Sequence, residues 1–254
     1  GYAAFAPMLA ARLAGVPTVL HEQNAIAGMS NRILGRLARR ICLSLPGTEG
    51  FDASRTVLTG NPVRAAVVAL AGRQHDFSGK LVMGGSLGAH ALNVHVCRHL
   101  DALRAAGIEV RHQTGVRDEA VTREAYAAAG YDPACVSAFI DDMASAYAWA
   151  DLVLCRAGAT TVAELCAAGL PSVLVPFPYA VHDHQTRNAQ ALVAEGAALM
   201  LPEARMESDG LMAQVTDLLQ DTGRLRTMAA AASGCARVRA AELVAAELET
   251  VCAR

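Results

Sequence analysis

The stretch Asp151-Leu-Val-Leu-Cys-Arg-Ala-Gly-Ala-Thr-Thr-Val-Ala-Glu164 decides the fold. It reads as a short buried strand over 152–155, a turn at 156–158, and a helix whose first turn carries Thr160, Thr161 and Glu164. A strand that feeds a helix through a glycine turn leaves free backbone N–H groups at the helix start, at the carboxyl edge of a sheet. In α/β proteins that edge is where anionic ligands lie.

Working outward, the same alternation repeats on both sides. Strands are expected over 80–83, 109–112, 136–139, 152–155 and 172–175, separated by helices over 89–106, 119–129, 143–149, 161–168 and 184–195. Such alternation implies a parallel sheet covered on both faces. Upstream, a helix over 6–13 stops at Gly15 and Pro17, and strands follow at 18–21, 41–45 and 56–58. An amphipathic helix over 31–40 carries Arg32, Arg36, Arg39 and Arg40 on its polar side. The run Gly60-Asn61-Pro62-Val63-Arg64 breaks the pattern, because Pro62 turns Asn61 away from helix, and it sets a domain boundary. The tail over 206–252 reads as almost wholly helical, with breaks at 221–223 and 233–234. The expected domains are 1–60, 61–235 and a terminal helix at 236–254 that packs back on the first.

Composition narrows the partners. With 254 residues, a formal charge of -2 and 18% charged side chains there is no basic field to draw nucleic acid, so any bound anion is held locally. Seven scattered cysteines, without Cys-x-x-Cys pairs or zinc-like histidine spacing, read as reduced and mostly buried apolar residues. No apolar run is long enough to span a bilayer.

Several motifs carry chemistry. Gly84-Gly85-Ser86-Leu87-Gly88 between strand and helix is either a tight turn or a phosphate cradle, and it is neither a Walker loop nor a dinucleotide fingerprint. Thr161-x-x-Glu164 matches a capping box, while a carboxylate at that edge can also take two sugar hydroxyls. His182-Asp183-His184-Gln185 reads as a polar loop with Asp183 capping a helix rather than as a metal site, and it puts Gln185 at the same edge. His21-Glu22-Gln23-Asn24 is a polar tetrad after a strand, open to a structural or a functional role. The arginines over 31–40 are a solvated face or an attraction to anionic lipid, and Trp149 is read as core.

In this order, the tetrad with Gly28 and Asn31, the run 60–64, Gly84-Gly85-Ser86, Phe139-Ile140-Asp141-Asp142-Met143, the run 156–164, and Asp183-His184-Gln185 with Asn188 closely resemble the MurG family. These are the family 28 glycosyltransferases that convert lipid I to lipid II in peptidoglycan synthesis. The resemblance covers essentially the whole chain. It implies a GT-B architecture, two Rossmann-like parallel-sheet domains facing across a cleft, the first one incomplete here. It also implies that Ile140 backbone groups read uracil, that Glu164 binds the ribose hydroxyls, and that Gly158, Ala159, Thr160, Thr161, Val162 and Ala163 line the pyrophosphate and sugar. Ser86 and Arg64 would contact the nucleotide, Gln185 the GlcNAc hydroxyls, and Asn24 would reach the donor from the first domain. The implied substrates are UDP-GlcNAc and lipid I, with no metal and no cofactor. The implied place is the cytoplasmic face of the bacterial inner membrane, peripherally attached.

Two departures stand out. Leu87 replaces the glutamine that the family often carries after Gly-Gly-Ser, which removes one polar contact. The family's glycine-rich first loop, with the histidine proposed as general base, falls before Gly1. The chain is therefore expected to be truncated or completed by a partner, and inactive alone. The alternatives are a nucleotide-sugar-binding subunit that needs a separate acceptor domain, and a nucleotide-sugar 2-epimerase, which requires an acidic general-base pair not found here.

Overall fold

The computed structural model describes residues 2–84, 89–180 and 183–253. Ser86, Leu87 and His182 lie outside the described residues. A helix α1 (Phe5–Leu13) leads into a three-stranded parallel sheet of β1 (Val19–Glu22), β2 (Arg40–Leu43) and β3 (Thr56–Leu58), in that spatial order. Between β1 and β2 lies α2 (Met29–Gly35). This is shorter than the expected 31–40 helix, and the reason is steric. Gly35 abuts Phe51, whose ring carbon would stand 2.7 Å from any added Cβ, and Arg39 N–H then bonds Thr18 O, drawing the chain out into β2. Arg40 therefore belongs to a strand, where it pairs with Glu247 at 2.8 Å.

After a short helix α3 (Ala65–Val68) comes the larger sheet, built from β4 (Lys80–Gly84), β5 (Glu109–Gln113), β6 (Val136–Ser137), β7 (Leu152–Cys155), β8 (Ser172–Leu174) and β9 (Ala198–Met200). Its spatial order is β6-β5-β4-β7-β8-β9, all parallel. Successive residues of the central strands serve opposite cores. Leu81, Met83, Leu152 and Leu154 join one cluster, whereas Val82, Val153, Cys155 and Leu174 join the other. That is why these strands read as continuous apolar runs.

The helices are α4 (His90–Cys97), α5 (Leu100–Ala105), α6 (Glu119–Ala128), α7 (Met143–Trp149), α8 (Ala159–Ala168), α9 (His184–Ala194), α10 (Leu211–Gln220), α11 (Thr222–Cys235) and α12 (Ala240–Cys252). The single helix expected over 89–106 is broken at Arg98–His99. The His99 ring Nδ1–H takes the His95 carbonyl at 2.8 Å, the acceptor its own backbone N–H would use in a continued helix, and that N–H turns to Val96 O instead. In the tail, Ser233 and Gly234 lie inside α11, and the break falls after Cys235. Helix α12 returns to contact β1 and β2, and the Arg40–Glu247 pair is part of that contact.

All seven cysteines are free, but only Cys42, Cys155 and Cys166 are buried, and Cys252 is exposed. Trp149 is half-buried, with the Arg111 guanidinium 4.4 Å from its ring centroid.

Candidate functional site

The order of the larger sheet reverses between β4 and β7, since the chain builds outward on one side through β5 and β6 and on the other through β8 and β9. Loops leaving the strands at such a point diverge to opposite faces and leave a crevice at the carboxyl edge. A cleft of about 730 Å³ lies there, lined among others by Arg64, Gly84, Gln113, Ile140, Tyr147, Gly158, Thr160, Thr161, Glu164 and Gln185. Gly84 is required because β5 passes so close that an added Cβ would stand 2.9 Å from Gln113 O.

Helix α8 supplies one wall. Its N-cap is Gly158, in extended geometry, so Thr160 and Thr161 lie inside the first turn. The expected capping box is therefore not formed: Thr161 is not at the cap, and the Glu164 carboxylate is used elsewhere. Glu164 is only 6% exposed. Its Oε1 accepts from Arg64 Nε at 3.1 Å and Nη2 at 2.9 Å, and its Oε2 accepts from the Tyr147 hydroxyl at 3.1 Å. Burial, with the adjacent Glu164 charge, drives the Tyr147 pKa well above its ordinary value, so the phenol stays a donor.

Helical periodicity divides the expected run 158–163 between two faces. Thr160, Thr161 and Glu164 face the cleft, while Ala159, Val162 and Ala163 line a second cavity of about 160 Å³ shared with Ser44, Asn61, Cys166 and Cys235. In that second cavity a hydrogen bond from Cys166 holds the Cys235 thiol below its ordinary pKa.

The opposite wall of the cleft holds Ile140, whose N–H donates to Gln113 Oε1 at 3.0 Å. The N–H expected to face a base is thus engaged internally. Gln185 lies in the first turn of α9 and accepts the Phe177 N–H at 2.9 Å, tying the 177 loop to the cleft rim. Asp183 stands at the α9 N-cap with φ 53° but makes no side-chain bond to the helix backbone, contrary to expectation; its carboxylate takes the Thr186 hydroxyl instead. Arg156 is held by the Val175 and Pro176 carbonyls and pairs with Glu203, so its charge is spent on the scaffold.

The first lobe meets the second through the tetrad. Glu22 is 2% exposed and accepts from Asn24 N, Asn24 Nδ2, Gly28 N and Asn31 Nδ2 at 2.8–3.3 Å, which decides its role as structural. His21 Nε2–H donates to Gly60 O at 3.0 Å. Asn24 does not line the cleft: its Oδ1 accepts from Asn188 Nδ2 at 3.2 Å, while Asn188 also holds Ala25 N–H and Ala157 O. Asn188 is therefore a clasp between the lobes at the turn that precedes α8. Gln113 and Tyr147 are the working residues that the sequence motifs do not flag, whereas Asn188 and Asn24 belong to the motifs but act as an interlobe clasp.

A further polar chain lies behind β4 and β5. His112 Nδ1 meets the Tyr126 hydroxyl and Nε2 meets Asn93 Oδ1, both at 3.0 Å, and Asn93 Nδ2 reaches Asp118, which also pairs with His90. Burial pushes the His112 pKa down to about 4.

A doubly wound sheet with a crevice at its strand reversal, faced by a second parallel lobe, defines a two-lobed α/β protein of the GT-B kind. Residues 81–244 match the glycosyltransferase family 28 C-terminal domain and residues 1–43 the family 28 N-terminal domain. The chain belongs to glycosyltransferase family 28. A Nitratidesulfovibrio vulgaris (Hildenborough) protein named UDP-N-acetylglucosamine–N-acetylmuramyl-(pentapeptide) pyrophosphoryl-undecaprenol N-acetylglucosamine transferase is 53% identical over 250 residues, which is 96% of this chain and 68% of that protein. A Stutzerimonas stutzeri protein of the same name is 49% identical over 93% of this chain and 67% of its own. Among solved structures, Acinetobacter baumannii MurG superposes with a TM-score of 0.80 at 38% identity, covering 98% of this chain and 72% of that one. A UDP-GlcNAc 2-epimerase from Neisseria meningitidis, at 13% identity and a TM-score of 0.66, covers 97% of this chain and 73% of its own and shares the fold alone.

Proposed function

We propose that the crevice at the β4/β7 reversal binds UDP-GlcNAc and that the chain transfers GlcNAc from it to lipid I, giving lipid II. Support for the reaction comes from relatives about half identical over nearly the whole chain. Support for the site comes from the buried Glu164 carboxylate, held at the crevice by two partners of which one, Arg64, is half in solvent.

In this reading the ribose hydroxyls displace the Arg64 guanidinium from Glu164 Oε1, and the diphosphate lies against the free N–H groups of the first turn of α8, where the helix dipole favours negative charge. The acceptor's muramoyl 4-hydroxyl oxygen forms the new bond to the anomeric carbon from the face opposite UDP and gives up its proton to a base on the acceptor side. The bond from that carbon to the diphosphate oxygen breaks with inversion, and the electron pair leaves on UDP. The same N–H groups that bind the diphosphate stabilise the charge it gains. Gln185, at the rim, takes the GlcNAc hydroxyls. Residues 1–60 serve as the acceptor-side lobe and 61–235 as the donor lobe. The peripheral membrane surface is met by α1 and α2, where Phe5, Leu9, Leu13, Met29 and Ile33 are exposed beside Arg12, Arg32 and Arg36. None of the helices is long and apolar enough to cross a bilayer among the described residues.

Calorimetric titration of UDP-GlcNAc tests the site. Glu164→Ala is expected to weaken binding by roughly 10- to 100-fold, the worth of one or two hydrogen bonds to a charged group. Unchanged affinity in a folded variant would remove Glu164 from the donor site.

A further inference from the structure

Away from the crevice, three side chains able to hold a metal converge: His95 on α4, His99 at the α4–α5 break, and Glu207 in the turn before α10. One ligand atom from each lies within 4.8 Å of the other two, and among the described residues this is the one such group of three. None of the three lines the crevice.

The geometry around each residue prepares it. His95 is buried, and its Nδ1 lies 3.3 Å from Glu207 Oε2. Two ligands on a tetrahedral ion with bonds of about 2.1 Å stand about 3.4 Å apart, so this spacing already fits one edge of such a site. His99 donates its Nδ1–H to the His95 carbonyl at 2.8 Å, which leaves Nε2 as the lone-pair nitrogen and fixes the ring. A backbone carbonyl on the remote ring nitrogen is the usual way a ligating imidazole is oriented. The two rings lie with centroids 4.6 Å apart and planes 37° apart.

Glu207 sits in a turn pinned by Gly210 N–H on its own carbonyl and by the Arg205–Asp209 ion pair. Glu207 pairs with His95, and Arg98 is a further charge close enough to act on that imidazole. The Glu207 side chain is 72% exposed, which leaves the fourth coordination position open to water.

We infer that His95, His99 and Glu207 form a binding site for a divalent transition ion such as zinc, stapling α4 to the turn before α10. Two imidazoles and one carboxylate suit zinc, cobalt, nickel or copper and do not suit magnesium or calcium, which take oxygen ligands. His95-x-x-x-His99 is a spacing that zinc sites use, which corrects the expectation of no zinc-like histidine spacing, but nothing local in the sequence marks the distant Glu207 as the third ligand.

The test is a titration of the purified chain with zinc chloride by calorimetry and with cobalt chloride by visible absorption, with magnesium chloride as the control. One saturable ion per chain is expected, with tetrahedral cobalt bands. At least ~10-fold weaker binding is expected in both His99→Ala and Glu207→Gln, since even an outer partner is worth that much. Glu207 is exposed, so Glu207→Gln keeps the wild-type circular dichroism and separates loss of a ligand from any change that His99→Ala makes at the α4–α5 break. Absence of saturable uptake, magnesium binding as tightly as zinc, or undiminished affinity in either variant overturns the site.

Discussion

Two buried carboxylates, one in each lobe, make opposite use of nearly equal burial. Glu22 is 2% exposed and Glu164 6%. Glu22 is wrapped by four neutral donors from its own loop, all within nine residues of it. Glu164 is held by a guanidinium from the interlobe segment and one phenol. Among the described residues the donors of Glu22 make no other hydrogen bond, so removing the carboxylate takes away the one protein acceptor they share. The Arg64 arm is half in water and can leave at little cost. Burial alone therefore does not mark a carboxylate as functional; what matters is whether its partners can be exchanged for a ligand.

The comparison fails most visibly if Glu22→Ala is mild. That change leaves two amide side chains and two backbone N–H groups unpaired, and a loss of roughly 3 kcal/mol or more is expected in urea denaturation. A third buried polar group, His112, extends the contrast to a base. Its folded pKa of about 4 lies below the ordinary histidine value of 6.5, so the unfolded chain binds the proton first. The stability this provides is fully present above pH 6.5 and is lost as pH falls from there toward 4, by an amount on the order of 3 kcal/mol. Melting temperatures measured across that window should show the slope, and His112→Gln should flatten it.

Glu164→Ala should do the reverse of Glu22→Ala. Thermal melting is expected to show about 1 kcal/mol lost while donor affinity drops as given above. Tyr147→Phe sharpens the point further. Without the phenol donor the carboxylate loses its fixed edge, and affinity for UDP-GlcNAc, and for UDP with the same ribose, should fall by about 5-fold, read by calorimetry. The smallest effect is expected at the half-exposed Arg40–Glu247 pair, where Arg40→Ala should cost less than about 1 kcal/mol in the same denaturation experiment.

Much of the donor lobe was legible because its strands are fully buried and its turns are punctuated by glycine. The expected bounds of α7 and β7 coincide with those observed. Errors arose where a distant contact overrules local pattern. Arginines continue past Gly35, so the polar periodicity of α2 runs on into β2, and only the Phe51 ring and Thr18 carbonyl reveal the stop. The α4–α5 break depends on a ring nitrogen competing for a carbonyl. Strand β9 is three residues of ordinary apolar sequence, indistinguishable from a helix end until β8 pairs with it. At the site, the motif run 156–164 was visible but its two faces were not, because a two-residue shift of the helix start decides which side chains enter the cleft. Tyr147 and Gln113 act through side chains reaching across the sheet edge, a relation no spacing encodes.

The chain passes between the lobes twice, after β3 and again between α11 and α12, and the two passages touch. Gly60, at φ 85°, lies so close to Arg237 that an added Cβ would stand 2.3 Å from that residue's own Cβ. Two contacting crossovers act as the spine of a book. Asn188 fastens Asn24 and Ala25 across the same junction, so a hinge opening at this spine must also release that clasp. Opening for a bulky acceptor would therefore begin with one buried amide, and any side chain at position 60 would bind the book badly before a substrate arrived.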